Sequence, residues 1–454
     1  MRFDRFDYTV WGVLGALVSL IAAILLLGDQ VGVRVMSLAP ATNSEAGAYG
    51  PIRIEFENAM QQESVEERFS LEPNVPGEFL WQGFELTFLP DEPLLPGNTY
   101  TARLAAGAES DEGRQLNEDV EWSFQVRQPR LVYLAPTNAR ELWLQDIDGG
   151  EAKQLTQTDG RVFDFAVSPL GDAILYSVVN TNDPTGIDLW LMDDEGQNQR
   201  LLVDCVLDRC SAPDWSPDGT QIAYSRVQAG LSPTEPYGPP RIWVADADTG
   251  ETVRLFANTQ KIGYGPSFSP DGSRLAYFDG AEGLIMVLNL ESGEEISLPT
   301  SLGVVGSWSP DSARMVYSDT RIADRQAVGL VYLADFATQD ILTILGEGGV
   351  SGDYGFVEWS PDGEWLLVKV RPPEIAPADE LWIMPPDGRF GLVIADEANQ
   401  SHYNYSWNPW SDAVLYQRLP LGVGAPTADV VVWFEETGEE IQITSDASQP
   451  AWLP

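Results

Sequence analysis

The sequence predicts an all-β chain: an N-terminal transmembrane helix, a small β-sandwich, and a seven-bladed β-propeller closed by its C-terminal strand. The propeller follows from a phrase repeated six times after residue 160, an aromatic or apolar residue before Ser-Pro-Asp-Gly or a near variant. Its prolines stand at Pro169, Pro217, Pro270, Pro310, Pro361 and Pro409, a spacing of the order expected for blades. The sandwich follows from short β-type runs separated by turns before residue 128, and the helix from one uncharged apolar run near the start.

That run, Thr9 to Leu27, spans about 28 Å as a helix, close to a hydrocarbon core. Gly28-Asp29-Gln30 follows it without a small-x-small cleavage site or a lipid-bearing cysteine, so an uncleaved anchor is expected over a cleaved signal peptide. Arg2, Arg5 and the terminal amine outweigh Asp4 and Asp7, which places the N-terminus in the cytoplasm. Residues 1–30 are then the anchor of a single-pass protein of a prokaryotic cytoplasmic membrane, and the rest is extracytoplasmic.

Residues 31–128 alternate short strands with turns. The runs are Val33–Val35, Ile52–Phe56, Phe69–Leu71, Leu86–Phe88, Thr99–Leu104 and Trp122–Val126, and Gln128-Pro129-Arg130 is a short linker.

Residues 129–454 carry the repeat. In each copy proline presets φ for a turn, Asp suits the next position and Gly accepts the left-handed conformation after it. Ser312 and Ser411 stand in for that glycine, so strained or altered turns are expected there. A second repeated strand lies downstream, as in Leu189-Trp190-Leu191 or Leu381-Trp382-Ile383, and a fourth follows an Asp/Gly-rich turn. Four antiparallel strands make a blade. Residues 131–155 hold three such strands without a first one, and Ala451-Trp452-Leu453-Pro454 is a first strand without successors. Joined, they complete a seventh blade and leave no free edge. Six blades are the alternative, with one repeat absorbed as an insertion.

The Trp-Ser-Pro-Asp-Gly copies resemble the repeats of TolB-like propellers over roughly residues 130–454. The resemblance implies the fold; the usual TolB protein is periplasmic, six-bladed and carries a different N-terminal domain. Phe56-Glu57-Asn58-Ala59-Met60, the Pro93–Tyr100 phrase and Trp122-Ser123-Phe124 resemble a bacterial Ig-like domain, which implies a spacer or adhesion module.

A formal charge of −43, with only one histidine, argues against nucleic acid or anionic lipid as a main ligand. Cys205 and Cys210 lie five apart in one loop, where an oxidising compartment favours a local disulfide over a free pair. No Gly-x-Ser-x-Gly elbow, Walker loop, HExxH or EF-hand pattern is present. No catalytic residue, cofactor or metal is therefore expected.

Strand alternation puts the tight Ser-Pro turns on one propeller face and the long loops on the other. Long loops in a compact fold are usually functional or mobile. They gather Tyr237, Tyr264, Tyr354, His402 and Tyr403, with Arg226, Arg321, Arg325, Arg371 and Arg418, and Tyr and Arg are enriched at binding hot spots. His402 reads as a surface or interface residue. The arginines read equally as ligand-binding or as pins between blades. The expectation is a non-enzymatic, membrane-anchored scaffold that binds a protein or peptide of the envelope, with a subunit of a larger complex as a further option and the oligomeric state unassigned. The alternative is an extracytoplasmic, carbohydrate-active type of propeller enzyme that uses carboxylates in the central channel.

Overall fold

The computed structural model describes residues 10–19, 21, 32–181, 185–230, 232, 235–258, 260–323, 326–346, 353–372, 377–422 and 427–454. The chain divides into two compact units, Met1–Arg127 and Gln128–Pro454. Residues 10–19 and 21 are helical, and the remainder of the apolar run lies outside the described residues. Among the described residues, no helix is long and apolar enough to cross a membrane.

The first unit packs two four-stranded sheets. One is ordered Val35–Ala39, Ile52–Phe56, Glu85–Pro90, Gly77–Gln82, and the other Glu45–Ala46, Val120–Val126, Thr99–Leu104, Phe69–Glu72. Alternation decides the core: Ile52, Ile54 and Phe56 point inward on one strand, Tyr100, Ala102 and Leu104 on another, and Trp122, Phe124 and Val126 on a third. That is the period of a half-buried strand. Glu45–Ala46 and Gly77–Gln82 were not legible as strands, because the first is two residues long and the second alternates half-buried and exposed residues with none fully buried.

In the second unit the C-terminal strand Ser448–Leu453 pairs antiparallel with Arg130–Ala135, placing Trp452 opposite Leu131. That sheet continues through Glu141–Asp146 to Lys153–Gln154. Trp452 is buried with Leu131, Tyr133, Ala413 and Leu415, so the strand from the far end of the chain seals two neighbouring sheets at once. Next comes an eight-stranded sheet built of two sets of four, which start at Val162–Val167 and Arg209–Trp215. A single parallel pairing, Ile187 with Arg209, joins them. Four further four-stranded sheets start at Tyr264–Phe268, Ser307–Trp308, Asp353–Trp359 and Gln400–Trp407.

The repeat phrase closes each first hairpin through its own side chains. Ser216 Oγ donates to Asp218 Oδ1 at 2.6 Å and accepts the Gln221 N–H at 2.9 Å. Ser269 repeats both bonds with Asp271 and Arg274. Ser312 and Ser411 do adopt left-handed backbones, at φ 57° and 60°. Their hydroxyls compensate: Ser312 Oγ accepts the Asp271 N–H and Ser411 Oγ the Asp362 N–H, both at 3.0 Å. A glycine could not make those bonds between adjacent turns.

Candidate functional site

The first strands of successive sheets enclose a central cavity of about 950 Å³, whose wall includes Asp214, Ser307 and Glu358. Each of these stands three residues before a repeat proline, and each bonds the next strand around the ring. Asp214 Oδ2 accepts the Phe268 N–H at 2.7 Å, Ser307 Oγ the Trp359 N–H at 2.9 Å, and Glu358 Oε1 the Trp407 N–H at 3.2 Å. Indoles answer in the opposite direction, Trp215 Nε1 donating to the Ala166 carbonyl and Trp452 Nε1 to that of Ser406, both at 3.2 Å.

Burial pushes the Asp214 carboxyl up to about 7 and that of Glu358 up to about 8, against the single backbone bond each receives. The cause is desolvation without a compensating cation. Both residues keep part of their surface on the cavity, but protein atoms crowd the carboxyls closely enough to disfavour charge. Asp164 is raised by burial too; there the bonds from Ser177 and Ala212 and the charge of Arg140 oppose the shift.

Four first strands carry exposed aromatics. Phe163, Tyr264 and Tyr403 each lie six residues before their repeat proline, and Phe356 lies five before Pro361. They are 46%, 43%, 37% and 50% exposed. Phe356 and Tyr403 line the cavity directly. Phe163 and Phe356 were not singled out from the sequence, which pointed to Tyr and Arg; their position six or five residues before a repeat proline was a signal that could have found them.

The structure redistributes the other residues singled out from the sequence. Tyr354, expected in an exposed loop, is only 3% exposed and packs with Val316, Val331 and Trp359. The strand Asp353–Trp359 begins earlier than the repeat phrase suggests, and its alternation turns Tyr354 inward. His402, expected at a surface, is fully buried for the same reason within Gln400–Trp407. Its Nδ1 lies 3.0 Å from Asp379 Oδ1 and its Nε2 3.3 Å from Glu397 Oε2. Burial opposes a charged imidazole, but these two carboxylates outweigh it and raise its pKa. Glu397 is likewise disfavoured by burial and still falls to about 2, through its bonds to His402 and Arg418. With both ring nitrogens facing carboxylates, His402 is not a free general base.

The arginines are engaged within the protein. Arg226 Nε donates to Asp208 at 2.7 Å and lies over the Trp243 ring. Arg371 pairs with Asp353 at 3.5 Å. Arg418 bonds Glu397 and lies 3.4 Å from Glu440 and 3.8 Å from Asp429. Arg321 is exposed on the strand Arg314–Ala323, and Arg325 lies outside the described residues. Tyr237 donates to the Thr185 carbonyl at 3.0 Å, with the Arg209 guanidinium 4.3 Å from its ring centre. Cys205 and Cys210 are disulfide-bonded. Among the described residues no group of three or more His, Cys, Asp or Glu side chains could hold a metal ion.

Strands set radially around a cavity, with each first strand bonded to its neighbour, define a β-propeller preceded by a β-sandwich. The family model for the TolB beta propeller domain matches residues 173–453, and that for the bacterial Ig-like domain matches residues 29–126. The chain belongs to the TolB beta-propeller family, with a bacterial Ig-like domain in front. It is 26% identical over 189 residues to the uncharacterized peptidase YuxL of Bacillus subtilis, covering 34% of this chain and 28% of that protein. It is 27% identical over 117 residues to the Tol-Pal system protein TolB of Francisella tularensis, covering 24% of this chain and 25% of that one. Among solved structures it is similar to TolB from Acinetobacter baumannii, with a TM-score of 0.43 and 13% identity, covering 93% of this chain and 99% of that one. The chain thus spans about a quarter of the length of the two curated relatives.

Proposed function

We propose that this chain is an extracytoplasmic binding scaffold whose seven-bladed propeller engages a protein or peptide of the cell envelope at the cavity mouth. The observation that carries the reading is the set of exposed aromatics on four first strands, Phe163, Tyr264, Phe356 and Tyr403, of which Phe356 and Tyr403 line the cavity. Exposed apolar surface gathered in one place is a mark of an interaction site, and aromatic residues dominate hot spots. The Ig-like domain serves as a spacer, and the apolar run Thr9–Leu27 as a single-pass anchor with the N-terminus inside. The name of the Tol-Pal relative, and the Ig-like domain, support an extracytoplasmic place.

Photo-crosslinking in native membranes tests this. A benzoylphenylalanine at position 264 or 356 should give a discrete protein adduct, and one at exposed Thr437 in an outer turn should not. Equal adducts from all three positions, or none from the mouth, overturn the assignment.

A second reading has its own observation. Two carboxyls raised toward neutrality, Asp214 and Glu358, share the cavity, and raised carboxyls serve as general acids in glycoside hydrolysis. Turnover of an oligosaccharide panel that is abolished by Asp214→Asn would favour a carbohydrate-active enzyme over the scaffold.

A further inference from the structure

We infer that the partner segment entering the cavity is cationic, its lysine or arginine heads reaching Asp214 and Glu358 while its flanking residues rest on Phe356 and Tyr403. This rests on the proposed binding role of the same mouth and adds the chemistry of the occupant.

The first support is a comparison within the ring. Ser307 makes the same bond to the next strand as Asp214 and Glu358, at 2.9 Å, with a short neutral side chain. Bonding between strands therefore does not require an acid at this position. Asp214 and Glu358 each commit one oxygen to it. Among the described residues, neither Asp214 Oδ1 nor Glu358 Oε2 receives a hydrogen bond, and no Lys, Arg or His side chain pairs with either residue. A carboxylate placed out of bulk water without a cation is unfavourable until one arrives. Near neutral pH such carboxyls tend to hold a proton, and an arriving cation lets them release it and ionise, so a positive occupant is favoured; the chain's net charge of −43 attracts the same class from a distance.

The second support is the mouth itself, which already holds a cation. Lys369 Nζ lies 4.2 Å from the Tyr403 ring centre and 5.9 Å from that of Phe356, with Asp379 Oδ2 at 3.8 Å. These rings therefore sit where an ammonium is accommodated on an aromatic face, a favourable contact in partly desolvated places. The ammonium of Lys369 is held by Asp379, which leaves Asp214 and Glu358 for an incoming one. A polypeptide is the occupant because the cavity lining carries Phe356 and Tyr403 beside the two acids, and further exposed aromatics, Phe163 and Tyr264, stand on other first strands, more than a small cation would cover.

The test titrates the full chain with three probes: an acetylated tetralysine amide flanked by two leucines, its tetraglutamate counterpart, and spermine. The tetralysine peptide should bind and the tetraglutamate peptide should not. The double variant Asp214→Asn, Glu358→Gln keeps an oxygen for each backbone N–H, so its thermal midpoint should stay at or above that of the wild type. It should weaken tetralysine binding at least tenfold, whereas Glu435→Gln with Glu436→Gln in an outer turn should change it less than twofold. The double variant Phe356→Ala, Tyr403→Ala should weaken the peptide more than spermine. Equal tetralysine affinity in wild type and the Asp214/Glu358 variant overturns the inference, as does preferred binding of tetraglutamate. Spermine binding as tightly as the peptide and indifferent to Phe356 and Tyr403 overturns the polypeptide assignment. Mouth crosslinking that persists while tetralysine fails to bind leaves the scaffold reading standing and removes only this one.

Discussion

Replacing Asp214 with Asn should stabilise the propeller at alkaline pH and do so only about a third as much at pH 5. In the unfolded chain an aspartate ionises near 3.9, whereas in the folded protein burial pushes Asp214 up to about 7. Between those values the folded state holds a proton that the unfolded state has released, so stability falls as pH rises through this window and levels off above it. Three units of difference correspond to an upper bound of about 4 kcal/mol. Because the residue keeps some surface on the cavity, an effect of about 1–3 kcal/mol is the working expectation. Asn retains an oxygen for the Phe268 N–H, so the substitution isolates the charge from the bond. The assay is the thermal midpoint followed by tryptophan fluorescence at pH 5 and pH 8.5. The general repulsion of a chain carrying −43 charges also grows with pH, but it is nearly common to both proteins and largely cancels in their difference. A midpoint raised by several degrees at pH 8.5 and by only about a third as much at pH 5 supports the reasoning. A shift of equal size at both values, or a loss at pH 8.5, refutes it.

Trp452→Ala should destabilise by about 3–5 kcal/mol, read as a lower thermal midpoint, because Trp452 is buried in the cluster between the closing strand and its neighbours. Ser312→Ala should cost about 1 kcal/mol through the lost bond to the Asp271 N–H, whereas Ser312→Gly should be nearly neutral in the same denaturation assay, since glycine relieves the left-handed backbone. His402→Phe should destabilise by about 3 kcal/mol by leaving Asp379 and Glu397 short of a cation. Its sign with pH follows from the raised imidazole pKa: the contribution is complete below the unfolded value of about 6.5 and fades as pH climbs past the folded one, so denaturation at pH 6 and pH 10 should show the larger deficit at pH 6.

Local turn chemistry and strand alternation were legible in the sequence, and they account for most of the architecture. Ser-Pro-Asp-Gly carries its own hydrogen bonds, and Ile52, Ile54 and Phe56 announce their face without help from distant residues. The strand through Trp452 was legible because an orphan phrase at one end matched a gap at the other. What could not be read was the point where each first strand begins. The phrase marks only its last residues, so Tyr354 and His402 looked like loop positions, although alternation within longer strands buries both. Their partners, such as Asp379 and Glu397, lie 23 and 5 residues from His402, and no local pattern signals such a cluster. Phe356 was hidden differently. It faces a cavity that exists only once the first strands are assembled.

The electrostatics of the candidate surface rest on its acids. From the sequence, Arg226, Arg371 and Arg418 read equally as ligand-binding residues or as pins between blades. In the folded protein Asp208, Asp353 and Glu397 hold them, and hydrogen-bonded pairs of this kind project little net field. The cavity wall instead offers Asp214 and Glu358 without a cation, in the same lining as Phe356 and Tyr403. Neutralised arginines and unmatched acids both favour the proposed preference of the mouth for positive partners over negative ones. The selectivity is therefore expected to depend on two residues rather than on the overall charge. Raising ionic strength should weaken non-specific attraction to the −43 surface within a Debye length of about 8–10 Å, while contacts inside the cavity, being partly shielded from salt, should persist. Tetralysine affinity that falls with salt in step with that of the Asp214→Asn, Glu358→Gln variant would assign the attraction to the outer surface instead.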